Sequence, residues 1–488
     1  MQTTLGHYSL GQIFSVYLSK KTQNSIEVSA LKIDAYPHVS MDITINNHAK
    51  VHLEGIGTPS KLKMNYHLTG DSFRYNNFFV ENRLEIFGNI KGSPSSLLVD
   101  GEGDLFNGKV AFNCLKLPAM FKNVTIDLKG VYSEKVLKFL HQKPLITGKA
   151  NIKANFKKFS KYQKDGDAVI RMQQANMPSV SGRLPFALKS EIEFKDIEYF
   201  YKLGIKSKVG NLTVIDGYYH KRKHEANALY AIDLEELSPF EPLLKRRYKG
   251  GFKSEGSFYY KDGVNLIGKS DKFEGLFYYK YSKSRLELDL KGVSLEKLLH
   301  YFSYPVLLSA KVYGSLDYNR LDKILLIDTK LKETQFRKTK ITDMILTTTG
   351  IDMLHDRYNN SSFAGVYKNN ILESTLKIDN GSQHVYLTKT KVNTKKNSIN
   401  SDFDVKLTGE ELSGEIYGTL DDPSVSINMK KLLKYQLRKR LGSWLGGEKK
   451  ETVKKELNSI KEDVSNTLNK VDVNSVKEKA KSFLKDFF

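Results

Sequence analysis

Apolar and polar residues alternate with a period of two through most of this chain. After Ser40, the apolar residues Met41, Ile43 and Ile45 are separated by single polar residues, and the same spacing returns from Leu62 onward. A period of two predicts β-strands with one apolar and one polar face. The apolar positions that we expect on one such face are Met41, Ile43, Ile45, Leu62, Met64, Leu286, Leu288, Val405, Ile416 and Ile427.

Short turn sequences separate these strands. Residues 107–108 are Asn-Gly and residues 262–263 are Asp-Gly, and each pair lies between two alternating segments. Residues 369–370 (Asn-Asn) and 380–381 (Asn-Gly) occupy similar places. Such pairs favour tight type I′ turns between neighbouring strands. The chain is therefore predicted to be mainly β, a long antiparallel meander.

An internal repeat interrupts the meander. Residues 130–150 match residues 292–312, and residues 233–244 form a looser third copy. Each copy has the pattern of a strand end, a short helix, a turn with proline and a new strand. Repeated units of this kind predict an elongated sheet. The irregular spacing of the copies disfavours a strict β-helix.

The two ends of the chain differ from its middle. We expect an N-terminal segment at residues 1–30 with a short helix at about residues 9–19, and the β-region at residues 31–428. A basic amphipathic helix follows at 429–447, and a helical tail at 448–488. The basic helix contains no acidic residue, and its membrane-surface candidates are Lys430, Lys431, Lys434, Arg438, Lys439, Arg440 and Trp444. Its apolar stripe packs against the end of the sheet or contacts an anionic membrane, and the two roles are compatible.

A long one-sided sheet must cover its apolar face. A second layer, closure into a barrel, or partial curling around a hydrophobic trough would each do so, and an exposed apolar trough usually marks a ligand site. We expect the sheet to curl into an elongated open hydrophobic groove with short helices between strands, ending in the amphipathic C-terminal helices. The ten apolar positions named above are the candidate groove residues. About 25 strands at about 4.8 Å spacing would make a groove on the order of 100 Å long.

The composition of the chain limits which partners and sites it can have. The chain of 488 residues carries a net charge of +22, which indicates either a solvated basic surface or attraction to an anionic membrane or nucleic acid. Cys114 is the single cysteine, which excludes an intramolecular disulfide and a multi-thiolate metal site. The chain contains no run of 18 apolar residues that would predict a membrane-spanning helix.

Catalytic motifs are missing from the sequence. No GxSxG, HExxH, phosphate-binding loop or dinucleotide fingerprint occurs. His220 and His224 are separated by Lys-Arg-Lys, which would repel a cation. The carboxylate pairs at 235–236 and 421–422 are adjacent, so they would face opposite ways on a strand. We therefore predict a non-enzymatic protein without catalytic, metal or cofactor site.

One end of the β-region resembles a known family. Residues 418–427 (Gly-Thr-Leu-Asp-Asp-Pro-Ser-Val-Ser-Ile), followed by Lys-Lys-Leu-Leu-Lys at 430–434, resemble the C-terminal signature of the AsmA/TamB-like proteins of bacterial envelopes. The copies at 130–150 and 292–312 are similar to the inter-strand helices of that family. Residues 101–110 resemble one of its strand hairpins, and the N-terminal residues resemble the segment after its membrane anchor. The resemblance spans most of the chain.

The resemblance implies an inner-membrane-anchored, periplasmic β-groove that moves phospholipid toward the outer membrane. The anchor helix of the family is missing from this sequence, which we interpret as a downstream start or a processed form. The expected partners are phospholipid or another acyl-chain ligand and an anionic membrane surface, without nucleic acid. Some members are linked to outer-membrane assembly, so an assembly factor that offers sheet edges is the alternative. A carbohydrate-active enzyme is a third hypothesis, which requires paired carboxylates on one face.

Overall fold

The structure is a computed structural model of the chain that describes part of its 488 residues. The described residues are 4–428, with the exception of 34–35, 59, 76–77, 161, 179–183, 305, 307, 339–351, 353, 408–409 and 421–422. The predicted helices at 429–447 and 448–488 lie outside the described residues. The seven membrane-surface candidates between Lys430 and Trp444 lie outside them as well.

The chain forms two compact units, with the boundary between Val264 and Asn265. This boundary lies inside the segment 31–428, which the sequence pattern predicts as one region. The first unit contains α1 (Thr4–Thr22), β1 (Ile26–Lys32), β2 (His38–Ile45), β3 (Ala49–Gly57), β4 (Leu62–Tyr75), β5 (Phe78–Ser93), β6 (Ser96–Leu105), β7 (Gly108–Lys116), β8 (Phe121–Tyr132), α2 (Ser133–Phe139), β9 (Lys149–Phe159), β10 (Lys164–Ala175), β11 (Phe186–Lys195), β12 (Glu198–Ser207), β13 (Gly210–His220), β14 (Glu225–Leu234), a 3-10 turn (Ser238–Phe240), α3 (Glu241–Leu244) and β15 (Phe252–Tyr260).

The second unit has the same kinds of element. It contains β16 (Val264–Ser270), which begins at the boundary, β17 (Leu276–Tyr281), β18 (Arg285–Ser294), α4 (Leu295–Tyr301), β19 (Leu308–Asn319), β20 (Ile324–Phe336), β21 (Ser361–Lys368), β22 (Ile371–Asp379), β23 (His384–Asn393), β24 (Ser398–Leu407), β25 (Glu410–Thr419) and β26 (Pro423–Ile427). Within each unit, consecutive strands pair antiparallel, as β4 does with β5 and β19 with β20. The prediction of a mainly β, antiparallel meander is confirmed.

The cross-strand register keeps the apolar residues on one face. In the first unit, Met41 of β2 pairs with Leu53 of β3, which pairs with Tyr66 of β4. The adjacent positions on the opposite face begin with Asp42, which pairs with His52. Because side chains alternate along each strand, one apolar face and one charged face extend through the unit.

The second unit repeats this arrangement. Leu288, Leu316 and Ile327 pair across β18, β19 and β20 on the apolar face. One residue away, Asp317 and Leu326 pair on the charged face. The charged face also carries ion pairs, so polar and apolar side chains are separated by face rather than by region of the sequence.

The predicted repeat is a structural repeat. β8 leads into α2 and β18 leads into α4, and each strand ends with a register shift at a glycine with positive φ, Gly130 at +64° and Gly292 at +71°. The valine that follows each glycine, Val131 or Val293, is fully buried. The same local sequence therefore builds the same strand-to-helix corner in both units.

Each corner seals one end of the neighbouring strands. The ring of Phe139 in α2 packs edge-on against Phe106, and that of Tyr301 in α4 packs edge-on against Phe273, at 5.4 and 5.1 Å between centroids. We call these clusters the first and second sealed ends. The first comprises Phe106, Val131, Phe139, Ala150 and Ala175, and the second comprises Phe273, Val293, Tyr301, Ala310 and Val312.

One predicted turn is shifted by one residue. The turn between β6 and β7 consists of Phe106 and Asn107, both with positive φ, and Gly108 is already the first residue of β7. The Phe106 side chain is buried in the first sealed end, and a Cβ on Gly108 would lie 2.5 Å from the Lys129 carbonyl oxygen. Packing and close backbone approach therefore fix this turn. The Asn369-Asn370 turn has positive φ at both residues, as predicted.

The N-terminal helix, Thr4–Thr22, is longer than the helix predicted at about residues 9–19. Its serine hydroxyls accept hydrogen bonds from edge amides of β1: Ser15 Oγ from Val28 N at 2.8 Å, and Ser19 Oγ from Ile26 N at 2.9 Å. Its apolar residues Ile13, Phe14 and Tyr17 are exposed. Serine hydroxyls therefore accept the hydrogen bonds of β1 edge amides that a neighbouring strand would otherwise accept.

Candidate functional site

The middle of the apolar face is partly open in both units. Partly exposed side chains at paired positions of successive strands form a line there. In the first unit the line also passes Gly88, Gly101 and the buried alanines Ala154 and Ala168. We call these lines the apolar rows. The first apolar row contains Met41, Leu53, Tyr66, Phe112, Ile126 and Ile192, and the second contains Leu286, Tyr318, Leu325, Tyr367, Leu372 and Val392.

The inter-strand helices cover other parts of the face. α2 contacts β5 and β8, and α4 contacts β18 and β19, where their side chains join the two sealed ends. Val131 and Val293 in the sealed ends have no exposed area. The partial exposure of both apolar rows contrasts with this complete burial. The face therefore combines a packed end with an open apolar surface.

Glycines flatten the first apolar row. The Tyr66 ring crosses β5 at Gly88, and its hydroxyl donates a hydrogen bond to the Asp100 carbonyl oxygen of β6 at 3.0 Å. A Cβ on Gly88 would lie 2.6 Å from the Tyr66 ring, and one on Gly101 would lie 2.8 Å from the Phe112 ring. Only glycine permits these rings to lie along the sheet. The result is a smooth surface of aromatic ring and backbone.

Nine of the ten predicted groove residues occupy the apolar face by register. Those that are partly exposed are Met41, Ile43, Ile45, Leu62, Leu286, Leu288 and Val405. Met64 and Ile416 are buried instead, because Met64 faces Gly55 and Ile416 packs in a cluster with Ile399 and Phe403. Ile427 pairs with Gly414, and its side chain lies outside the described residues.

Two titratable groups on the apolar face of the first unit, Tyr66 and Cys114, have raised pKa values. Burial raises the pKa of Tyr66 to about 12, with smaller contributions from Asp100 and Cys114. Burial also raises the pKa of the Cys114 thiol. Cys114 is partly rather than fully buried, beside Phe121 and Phe156. A neutral surface is suited to apolar ligands and poorly suited to nucleophilic chemistry.

Ion pairs populate the opposite face. The Arg285 guanidinium hydrogen-bonds the Asp317 carboxylate and holds the pKa of that carboxyl below its usual range. Lys391 lies 2.8 Å from Glu373 in the next strand. These pairs are largely exposed, so each contributes little to stability. They keep one side of the sheet hydrated.

Sequence reasoning missed a second set of polar residues in the first unit. Cross-strand pairing places Phe87 beside Glu102, Glu102 beside Ala111, and Ala111 beside Asp127 on the charged face. Adjacent carboxylates on a strand face opposite ways, whereas Asp100 and Glu102 are two residues apart and share a face. Their i, i+2 spacing in β6 was the available signal.

Metal ligands and membrane-spanning helices are two further kinds of functional feature. In the described ranges, no group of three histidine, cysteine or acidic side chains could hold a metal ion. His220 Nδ1 instead accepts a hydrogen bond from the Lys223 amide at 3.2 Å. None of the helices in the described part of the chain has the length and apolar character required to cross a membrane.

Comparisons with known proteins give no relative. No family model, no curated protein and no solved structure matches the chain. The similarity to AsmA/TamB-like proteins consequently stays a prediction from the motifs at 418–434, 130–150 and 292–312.

Proposed function

We propose that this protein holds or conducts phospholipid, with acyl chains lying along the apolar rows. The observation that carries the proposal is the partial exposure of both rows on a sheet whose other face is charged. We assign no chemical step to it. In keeping with the family resemblance, its place would be the periplasmic side of a bacterial inner membrane, and its direction of delivery the outer membrane.

The energetics favour an acyl chain as the ligand. Transfer of each methylene from water to an apolar surface contributes about 0.8 kcal/mol. The first apolar row extends from β2 to β11, and strands lie about 4.8 Å apart, which gives a row on the order of 40 Å long. A long chain of methylenes can follow such a row without specific hydrogen bonds. The net charge of +22 favours anionic headgroups and membrane surfaces nearby.

The alternative function is assembly of outer-membrane proteins by addition of strands to a sheet edge. At β1 this route is disfavoured, because Ser15 and Ser19 of α1 already bind edge amides. The short strand β26 (Pro423–Ile427) is the other terminal strand and pairs with β25. An assembly role would therefore depend on β26, and would be insensitive to charges placed in the apolar rows.

Lipid analysis of the purified protein tests the proposal. We would purify the full chain in mild detergent and measure bound lipid by native and lipid mass spectrometry. We expect several phospholipids per chain, and fewer when Leu286 or Met41 of the apolar rows is replaced by Asp. The matched control is Leu326→Asp on the charged face, where the leucine is 47% exposed. A lipid-free wild-type protein with a cooperative, compact fold would contradict the proposal and favour the assembly role.

A further inference from the structure

An open depression of about 930 Å³ lies on the charged face of the first unit. It crosses the strands from β3 to β9. Most of its lining residues belong to the charged face by register, and Tyr66, Phe112 and Ile126 of the first apolar row also contribute to the lining. Eight of its 19 lining residues are asparagines or carboxylates. The lipid proposal gives this surface no role.

The depression is open above one small residue of the sheet, Ala111, because its larger neighbours project further. A cross-strand line runs from Phe87 through Glu102, Ala111 and Asp127 to Lys153. Ala111 is the small member of this line, so the space above it stays open between the larger side chains on either side. The line contributes aromatic, anionic and cationic groups to one concave surface.

An aromatic platform forms one wall. The Phe87 ring is 48% exposed although it lies on a polar face. It stacks on His67 with ring centroids 4.1 Å apart and an interplanar angle of 13°. His67 Nε2 in turn lies 3.3 Å from Glu85 Oε1. A ring fixed in this way presents an electron-rich surface, which complements the C–H groups of a sugar ring.

One polar atom of the same cross-strand line has no hydrogen-bond partner among the described residues, three strands away from Phe87. The Asp127 Oδ1 atom is buried and has no hydrogen-bond partner. Its Oδ2 atom lies 3.7 Å from Lys129 Nζ and 3.9 Å from Lys153 Nζ, which are ion-pair rather than hydrogen-bond distances. Asn89, by contrast, donates to Asp100 at 2.9 Å. A buried unpaired acceptor requires a donor from water or from a ligand.

We propose that this depression binds a saccharide composed of neutral or amino sugars. Hydroxyl groups both donate and accept hydrogen bonds, and they match the alternating amides and carboxylates of the lining. One ring face of the sugar would stack on Phe87. Glu54, Asp100, Glu102 and Asp127 outnumber Lys153 in the lining and disfavour acidic sugars. Phe87, Glu102 and Asp127 lie on the charged face, so substitutions there test the saccharide site separately from the apolar rows.

The test uses the full chain on an array of neutral, amino and acidic glycans. Chitohexaose and cellohexaose are then titrated by ligand-observed NMR. We expect saturable binding of neutral or amino glycans, weakened at least tenfold by Phe87→Ala and several-fold by the shape-conserving Glu102→Gln. Phe87→Tyr should retain binding. The control Tyr162→Ala removes an aromatic that is 78% exposed in the turn after β9, and should bind like wild type.

Three results would overturn the proposal. They are binding to no glycan on the array, preference for acidic glycans, and equal affinity in the wild type and in both Phe87→Ala and Glu102→Gln. Lipid content of each variant is measured in parallel and is expected to equal that of wild type. Loss of glycan binding with retained lipid supports the saccharide site alone, so the two proposals fail separately.

Discussion

The sealed ends and the apolar rows use the same residue types on the same face, but they differ in burial. Val131 and Val293 are fully buried under short helices, whereas Leu288 and Ile327 of the open surface remain partly exposed. The difference comes from the repeated corner, in which a glycine and a helix bring backbone and side chains close together. Tyr66, Phe112 and Ile126 of the first row pack against the cluster that contains the first sealed end, but each keeps part of its area exposed.

The difference in burial suggests different roles for the two regions: the sealed ends stabilise the fold, and the apolar rows bind the ligand. A sheet whose packing is concentrated at its sealed ends does not require its rows to be covered in order to fold. Apolar side chains that are left partly exposed are then available to a ligand. Substitutions at the sealed ends should destabilise the fold, and substitutions in the rows should mainly change ligand occupancy.

The largest effect is expected at the second sealed end. Val293→Asp buries an unpaired carboxylate and should lower the free energy of unfolding by about 4 kcal/mol. Val366→Asp, at a valine that is 41% exposed on the charged face, should change it by about 0.5 kcal/mol or less. Urea unfolding with hydrogen exchange in β18 and β19 measures both. Equal effects of the two substitutions would remove the distinction between the regions.

A smaller effect is expected at the corner glycines. A Cβ on Gly275 would lie 2.3 Å from the Gly292 carbonyl oxygen, so Gly275→Ala must displace backbone and should cost about 2 kcal/mol. Gly204 has no atom within 4 Å of such a Cβ, and Gly204→Ala should be close to neutral. Thermal and urea unfolding of the two variants compare them. A neutral Gly275→Ala would mean that the corner is not tightly packed.

The edge of β1 offers a local test. Ser15→Ala removes the acceptor of the Val28 amide and should cost about 1 kcal/mol, with faster hydrogen exchange of that amide. Ser29→Ala, at an exposed serine of the same strand, is the control. Unchanged exchange at Val28 would show that α1 does not protect this edge.

The smallest effect is expected for the pH dependence of stability, through the pKa of Asp317 on the charged face. Hydrogen bonds from Arg285 lower the pKa of Asp317 in the folded protein. The stabilisation is therefore present above the unfolded pKa of Asp317 and is lost as the pH falls through the lower, folded value. Arg285→Gln should raise the pKa of Asp317 toward 3.8, as followed by NMR titration of its carboxyl. Lys291→Gln should leave that pKa unchanged, and an equal response to both substitutions would refute the pairing.

Local patterns predicted much of the fold because strands and corners are local. The alternation around Met41 and Leu288 placed these residues on the correct face, and the repeat placed α2 and α4. The contact of α1 was not predictable from its apolar spacing, because serine hydroxyls make it. The shift at Phe106 and Asn107 depends on packing against Phe139, which the turn sequence does not contain.

The depression on the charged face could not be predicted from residues that are neighbours in the sequence. Phe87, Glu102, Ala111, Asp127 and Lys153 come from five strands and meet only through the cross-strand register. Register depends on bulges, such as the shift after Leu128, as well as on alternation. Alternation predicts the face of each residue, but it does not predict its neighbours in other strands.

Photo-crosslinking along β20 tests the central claim most directly. A benzophenone amino acid would replace Ile327 on the apolar face, and Leu326 on the charged face would be replaced as the matched control. Both proteins are isolated from cells and analysed by mass spectrometry. We expect phospholipid crosslinks at Ile327 and few or none at Leu326. Equal crosslinking at the two positions, or none at Ile327 in a folded protein, would contradict it.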